Sequence, residues 1–384
     1  MAGAVRILHC HSTFSLGGKE ARAVRLMNAF GAAAEHVVLS AMPGRFEARA
    51  ALAPGIKVSF PEDAPSLAGR PGARRMWRLA RYMRRFDLVL TYNWGAFDAV
   101  MAHRLFGGPG LIHHEDGFNE DEAVALKTRR NLYRRLGLPG ALKLVVPSRR
   151  LEKIARNAWG QTRSRLVRIP NGVAIEHYGR HPEDGAIPGF ERRPGEIVIG
   201  TVAGLRRVKN LPRLVRAFAA MTHKAARLVI VGEGLESEAI AAEARARGVS
   251  ARLLMPGFLA DPARWIGHFD IFALSSDSEQ FPISLVEAMA AGLPAVATAV
   301  GDVPDMVSDD NRPLIVDPDD EAAFAAALDS LADRDDLRRA IGAANRARAA
   351  VEYDEKAMIR DYAQLYGEAA GRPDVFVASV RSNR

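Results

Sequence analysis

A chain of 384 residues exceeds what one hydrophobic core usually holds, so two domains of fewer than about 200 residues each are expected. Hydrophobic residues make up 48% and charged residues 26%, which leaves room for substantial cores, and the single cysteine, Cys10, excludes an internal disulfide. The net charge of +8 hides an asymmetry: residues 1–180 carry 29 Lys+Arg against 14 Asp+Glu, and the remainder 24 against 31. No apolar run approaches the roughly 18 residues of a membrane span. Residues 1–10 read as a first strand, not a signal peptide. A cytosolic protein, with a peripheral place on the inner face of the membrane, is the expectation.

In chain order, the strand-like run at 5–10 leads through Gly17-Gly18-Lys19-Glu20 into a helix from about Lys19. Glycines there let a ligand approach the backbone, and the helix N-terminus favours anions. Strand-like runs follow at 36–40 and 56–60, then a basic helix at 73–85. On that helix Met76, Leu79, Ala80 and Met83 share one face and should pack on a sheet, while Arg74, Arg78, Arg81 and Arg85 form the opposite stripe. Strands at 87–92, 110–114 and 142–147 complete the first half, with a second basic cluster at Lys127, Arg129, Arg130, Arg134 and Arg135. His113-His114-Glu115-Asp116 sits at a strand end, a functional-site pattern. Zinc-ligand spacing and aromatic-basic interleaving are missing, so an anionic membrane or a phosphorylated acceptor suits the basic half better than nucleic acid.

Residues 170–195, rich in Pro, Gly and charge, read as a linker, with Asn171-Gly172 as a turn. The alternation restarts with strands at 196–202, 227–231, 252–255, 270–274 and 295–298. The pattern predicts an α/β protein of two doubly wound, Rossmann-like domains, 1–169 and 196–352, facing a cleft. A helix at about 353–370, bearing Tyr362 and Tyr366, is expected to return to the first domain, and 371–384 to be a disordered tail.

The most informative stretch is 275–294. Glu279 precedes a helix that is apolar on every side, with Pro282 suited to its first turn and Gly292 and Pro294 as the stop. Glu287, eight positions on, is buried past the first turn and needs hydrogen-bond donors, which a ligand with paired hydroxyls supplies. The helix N-terminus between the two acids is a phosphate site. Lys209 follows the 196–202 strand and precedes a helix near Asn210, which points its ammonium at the strand ends where α/β ligands bind. Together these describe a nucleotide-sugar site.

The 279–294 run, the 202–210 segment and Ile169–Val173 resemble retaining glycosyltransferase family 4, of the two-domain GT-B fold, over nearly the whole chain. The resemblance implies that Glu287 holds the ribose hydroxyls, that Glu279 contacts the transferred sugar and that Lys209 stabilises the diphosphate. The family's arginine five residues before that lysine is Gly204 here; Arg206 is the expected replacement and Arg207 the fallback. Gln280 departs from the family's glycine, while Phe281, Pro282, Ile283 and Ser284 present the backbone to the diphosphate. Gly17 and Gly18 border the acceptor and the donor phosphates, Asp116 or His114 the donor sugar or acceptor hydroxyl. Gly232 lies by the base, Phe258 lines its pocket, and Gly301-Asp302 closes over the sugar. The implied activity moves a hexose-type sugar from a nucleotide diphosphate to a hydroxyl of a lipid-linked or polysaccharide precursor glycan. It proceeds by front-face attack without metal or other cofactor, with domain closure excluding water. A nucleotide-sugar 2-epimerase of the same fold and a non-enzymatic nucleic-acid binder are the alternatives.

Overall fold

Among the residues described by the computed structural model, 3–382 without 16, 71, 119–121 and 123–125, the apolar, β-branched runs pair into two wholly parallel sheets. The first contains β1 (Val5–His11), β2 (Ala34–Ser40), β3 (Val58–Ser59), β4 (Leu88–Tyr92), β5 (Gly110–His114), β6 (Lys143–Val146) and β7 (Leu166–Arg168), in the order β3-β2-β1-β4-β5-β6-β7. The second contains β8 (Ile197–Val202), β9 (Ala226–Val231), β10 (Leu253–Gly257), β11 (Ile271–Leu274), β12 (Ala295–Thr298) and β13 (Ile315–Val316), ordered β10-β9-β8-β11-β12-β13. Each sheet belongs to its own Rossmann-like unit: Met1–Asn171 with Lys356–Arg384, and Gly172–Glu355.

Strand side chains alternate between faces, so each sheet needs two apolar layers. In the first unit Leu8, Val89 and Leu111 point to the layer formed by α2 (Ala73–Met83), α3 (Phe97–Phe106), α4 (Thr128–Gly137) and α5 (Arg149–Asn157). Their neighbours Ile7, Leu88, Leu90 and Ile112 point the other way. The face expected of the basic helix is the one buried in α2: Met76, Leu79, Ala80 and Met83. In the second unit Val198, Val229 and Phe272 face one layer and Ile197, Ile199 and Leu228 the other.

Two expectations are corrected here. Residues 172–195 are not a free linker: they belong to the second unit, where Ile187 is 1% exposed within the core. Tyr178, on the short helix at Ile175–Tyr178, joins the same core. The tail is not disordered through 382. After the helix at Glu355–Ala369, whose Met358, Tyr362 and Tyr366 enter the first unit's core, a last helix spans Val375–Ser382. Phe376 is fully buried and stacks on Phe30 at 4.5 Å. Residues 383 and 384 of the expected tail, and Met1 and Ala2 of the expected first strand, lie outside the described residues.

Phe376→Ala tests the docked tail. Emptying a fully buried phenylalanine site costs about 3–5 kcal/mol, so urea unfolding of the first unit should shift markedly; an unchanged midpoint would show that the tail contributes nothing.

Candidate active site

Both sheets collect their chemistry at the carboxyl edge. In the second unit Lys209 follows β8, Gly232 follows β9, Phe258 follows β10, Glu279 follows β11 and Gly301 follows β12. Strands β8 and β11 are neighbours although two strands separate them in sequence, so the loops after them diverge at a topological switch point. Lys209 and Glu279 meet there: Nζ lies 2.5 Å from Oε1, with the side chains 16% and 10% exposed. Ser276 Oγ donates to the same carboxylate oxygen at 2.7 Å.

The two loops are tied together by their backbones. Asp277 N donates to Val208 O at 2.8 Å, and Ser275 Oγ reaches the carbonyls of Lys209 and Asn210, both at 3.1 Å. Asn210 takes a left-handed φ of 43° and caps the helix at Leu211–Ala220, which turns Lys209 toward the switch point. On the far side Gly301 has φ +59°, and a Cβ there would come within 2.2 Å of the Glu279 carbonyl. Gly232 is constrained likewise: φ is +145° and a Cβ would strike the Ala203 carbonyl at 1.8 Å.

The apolar helix that carries Glu287 spans Ile283–Ala290. Pro282 is its N-cap, with φ −70° and ψ 109°, one step earlier than the first-turn place expected of it. Proline has no N–H, so the first donors at this end belong to Ile283 and Ser284. Glu287 is 8% exposed, and the Tyr178 hydroxyl donates to its Oε1 at 3.1 Å. The chain itself therefore supplies a donor that the sequence reading left to a ligand. Phe281 packs edge-on against Tyr353 at 5.5 Å, and Phe258 is 55% exposed. Arg206 and Arg207 are exposed. A Cβ built on Gly204 would lie 3.7 Å from Arg206 Nε, ordinary van der Waals contact, so the Arg206 guanidinium lies beside the start of any side chain at 204.

In the first unit β1 and β4 form the corresponding switch point. Asp116, just beyond β5, is bound by both terminal nitrogens of Arg22, Nη2 at 2.9 Å from Oδ2. Arg22 Nη1 also donates to Asn171 Oδ1 at 2.8 Å, and the guanidinium lies 5.6 Å from the centre of the Tyr362 ring. Burial works to raise the Asp116 carboxyl, but the Arg22 charge and hydrogen bonds prevail and hold it below the usual range. Arg22, 3% exposed, was not singled out from the sequence. The Gly17-Gly18 loop opens α1 (Gly18–Phe30) with no side-chain cap. Glu20 folds over it: a Cβ on Gly17 would meet Glu20 Oε2 at 2.8 Å, and Lys19 pairs with Glu20 at 3.1 Å. The position expected to take an anion is thus covered by the chain's own carboxylate.

His114 is not a group available to a ligand. It is fully buried, with Nδ1 directed at the Thr91 carbonyl at 3.2 Å and Nε2 accepting from the Tyr366 hydroxyl at 2.8 Å. Arg134, expected in the surface basic cluster, is 0% exposed. Its Nε lies 3.1 Å from Glu115, its Nη1 3.3 Å from Glu122, and its guanidinium 4.9 Å from the Trp159 ring centre. No group of three or more His, Cys, Asp or Glu among the described residues is placed to hold a metal ion.

Residues 5–177 match the model of Glycosyltransferase Family 4 and residues 186–348 that of Glycosyl transferases group 1. The chain belongs to the family 4 glycosyltransferases. It is 26% identical over 172 residues to N-acetyl-alpha-D-glucosaminyl L-malate synthase of Bacillus anthracis, covering 44% of this chain and 45% of that protein. It is 35% identical over 157 residues to D-inositol 3-phosphate glycosyltransferase of Corynebacterium kroppenstedtii, covering 38% and 35%. The chain spans about half the length, or less, of these curated relatives. In fold it matches the crystal structure of Anabaena HepE in complex with UDP-glucose, with TM-score 0.75 at 18% identity over 95% of this chain and 100% of that one. Its two Rossmann-like units are those of a GT-B glycosyltransferase.

The chain also buries a histidine cluster beneath the carboxyl edge of its first sheet. His9 Nε2 and His36 Nδ1 are hydrogen-bonded at 3.0 Å, and His11 stacks on Tyr92 at 4.0 Å. Burial lowers His36 to about 4 and, with Arg22 adding to the effect, His114 to about 3; His9 and His11 are also held well below the ordinary value. In the unfolded chain each histidine titrates near about 6.5. Below that pH the unfolded state takes protons that the folded state refuses, so stability falls by about 1.4 kcal/mol per pH unit for each residue. The loss levels off near about 4 for His36 and about 3 for His114. Melting temperature should therefore drop steadily from pH 7 to pH 5; a flat profile would show that these rings are solvated.

Proposed function

We propose that the protein transfers a hexose-type sugar from a nucleotide diphosphate donor to an acceptor hydroxyl, with retention of configuration and without a metal. The observation that carries this reading is the Lys209–Glu279 ion pair at the switch point of the second sheet, with the buried Glu287 eight residues further on. An ammonium with a helix N-terminus, one carboxylate before the helix and a second within it match the three parts of a nucleotide-sugar: diphosphate, sugar hydroxyls and ribose. HepE, which shares the fold, is described in complex with UDP-glucose.

In the ligand-free chain Lys209 and Glu279 neutralise each other. An arriving diphosphate draws Lys209 to itself, which frees the Glu279 carboxylate to accept hydrogen bonds from the sugar. Lys209, Arg206 and the N–H groups of Ile283 and Ser284 then face the charge that develops on the leaving group. Glu287, oriented by Tyr178, accepts from the ribose hydroxyls, with Gly232 and Phe258 beside the base. The bond from the anomeric carbon to the phosphate oxygen breaks as the acceptor oxygen bonds to the same face, and the departing phosphate takes the acceptor's proton. Asp116, fixed by Arg22, orients the acceptor; His114 serves the core alone.

Glu287→Ala should weaken donor affinity by about 1–3 kcal/mol, while Glu279→Ala lowers turnover with a smaller effect on affinity. Arg206→Ala should cut turnover at least about tenfold, and a chelator should leave the rate unchanged. Calorimetry and initial rates with UDP- and GDP-sugars check all four; normal donor affinity and turnover in a folded Glu287→Ala protein would remove the ribose clamp from the scheme.

The acceptor is a lipid-linked or polysaccharide precursor glycan met at an anionic membrane surface on the cytoplasmic side. Two surface features of the first unit support this. On α2 and just beyond its end, Arg78, Arg81 and Arg85 border an open hollow of about 820 Å³ together with Trp77, which is 45% exposed. On α4, Leu132 and Leu136 are each 58% exposed, beside the exposed Arg129 and Arg135. Exposed leucine and tryptophan next to arginine fit an interface that takes up both headgroups and acyl chains. No helix among the described residues is long and apolar enough to cross a membrane. Each arginine near an anionic bilayer contributes about 1 kcal/mol. The protein should co-sediment with anionic vesicles at low salt and be released at high salt, and replacing Arg78, Arg81 and Arg85 together by glutamate should abolish sedimentation. Equal binding to neutral vesicles would refute the electrostatic part.

A further inference from the structure

Gln280 lies between Glu279 and Phe281 in the loop that follows β11 and leads to the helix at Ile283–Ala290. Its amide oxygen is buried and has no hydrogen-bond partner. The polar groups around it in sequence are engaged: Glu279 with Lys209 and Ser276, Asp277 with Asn210 and Arg213, Ser275 with two carbonyls. The backbone here has little freedom to relieve the mismatch. The Glu279 and Gln280 carbonyls lie 2.2 and 3.3 Å from where a Cβ on Gly301 would stand, so the two segments are in close contact and only the Gln280 side chain is left to move. A buried carbonyl oxygen without a donor is a standing cost to the ligand-free state. A ligand that offers a donor recovers that cost.

The chemistry of the group narrows the ligand. An amide presents an acceptor and a donor side by side, the complement of two adjacent hydroxyls. Its oxygen cannot accept from a fully ionised diphosphate, and the neighbouring Glu279 carboxylate also favours hydroxyl donors over anions. We infer that Gln280 is a specificity-determining residue for the donor sugar, its amide oxygen accepting from one hydroxyl of a vicinal pair and its NH2 donating to the other. This rests on the donor reading given above. The amide turns out of its unpaired resting position when the sugar arrives, so sugar binding gains from Gln280 while nucleotide binding does not.

The test uses Gln280→Met, which keeps length and loses the polar end, and Gln280→Glu, which keeps the acceptor and loses the donor. Dissociation constants are measured by calorimetry on the full chain for UDP-glucose against UDP and for GDP-mannose against GDP. For the sugar nucleotide that the wild type binds, Gln280→Met should weaken binding about tenfold, while the matching nucleoside diphosphate changes by less than about twofold. A deoxy-sugar donor lacking one of the paired hydroxyls should show a smaller difference between Gln280→Met and wild type than the parent donor shows. Equal losses for sugar nucleotide and nucleoside diphosphate, or no loss for either, overturn the assignment and leave the donor reading standing. Failure of the wild type to bind any of the four overturns both.

Discussion

Strands that all run one way deliver every outgoing loop to the same edge of the sheet, and that constraint organises both halves of this protein. The chain must return across a face before it can add the next strand, so helices cover the faces and leave the carboxyl edge uncovered. Where the winding direction reverses, between β1 and β4 and between β8 and β11, adjacent loops part and leave room. Lys209 and Glu279 stand on either side of one such gap; Lys19 and Asn93 flank the other. The residues that resemble a donor site are scattered over a hundred positions of sequence, yet strand direction alone brings them to one edge.

Charge at these edges is handled in two ways. Arg22 and Arg134 are sealed and have several partners each: Asp116, Asn171 and the Tyr362 face for one, Glu115, Glu122 and the Trp159 face for the other. Removing one member of such a buried set costs about 3–5 kcal/mol because it strands the rest, so these networks belong to the scaffold. Lys209 remains in partial contact with solvent, and its ion-pair partner is Glu279. An ion pair of that kind can exchange partners at modest cost, which is what a site for an anionic ligand requires. The same distinction separates Glu20, folded over its own helix N-terminus, from Asp116.

Local signals carried much of this into the sequence. The period of Met76, Leu79, Ala80 and Met83 identifies the buried face of α2, and the run of apolar residues around Glu287 identifies a buried helix. What escaped was information held by distant partners. Arg134 reads as one of several arginines on a basic helix; its acids lie 12 and 19 residues away and only the fold brings them together. Arg22 and Tyr178 were silent for the same reason. The two-residue strand at Ile315–Val316 is too short for alternation to register, and Leu166–Arg168 was missed beside the proline that follows. The tail did hold a readable hint: Phe376 and Val380 stand four apart, enough for one face of a helix.

The passage between the units is made twice, and the two strands of chain meet. Val173 N donates to Tyr353 O at 2.9 Å and Glu355 N to Val173 O at 3.0 Å, while Gly172 is so close to Glu355 that a Cβ would lie 2.6 Å from its Cα. The second unit therefore begins and ends at one point, as an insertion whose two termini are already joined by hydrogen bonds. A segment with that topology can be lifted out, closed on itself or replaced by a related one without re-threading its host. The second unit is in this sense a cassette, free to be exchanged while the first keeps its own sheet and its returning helix.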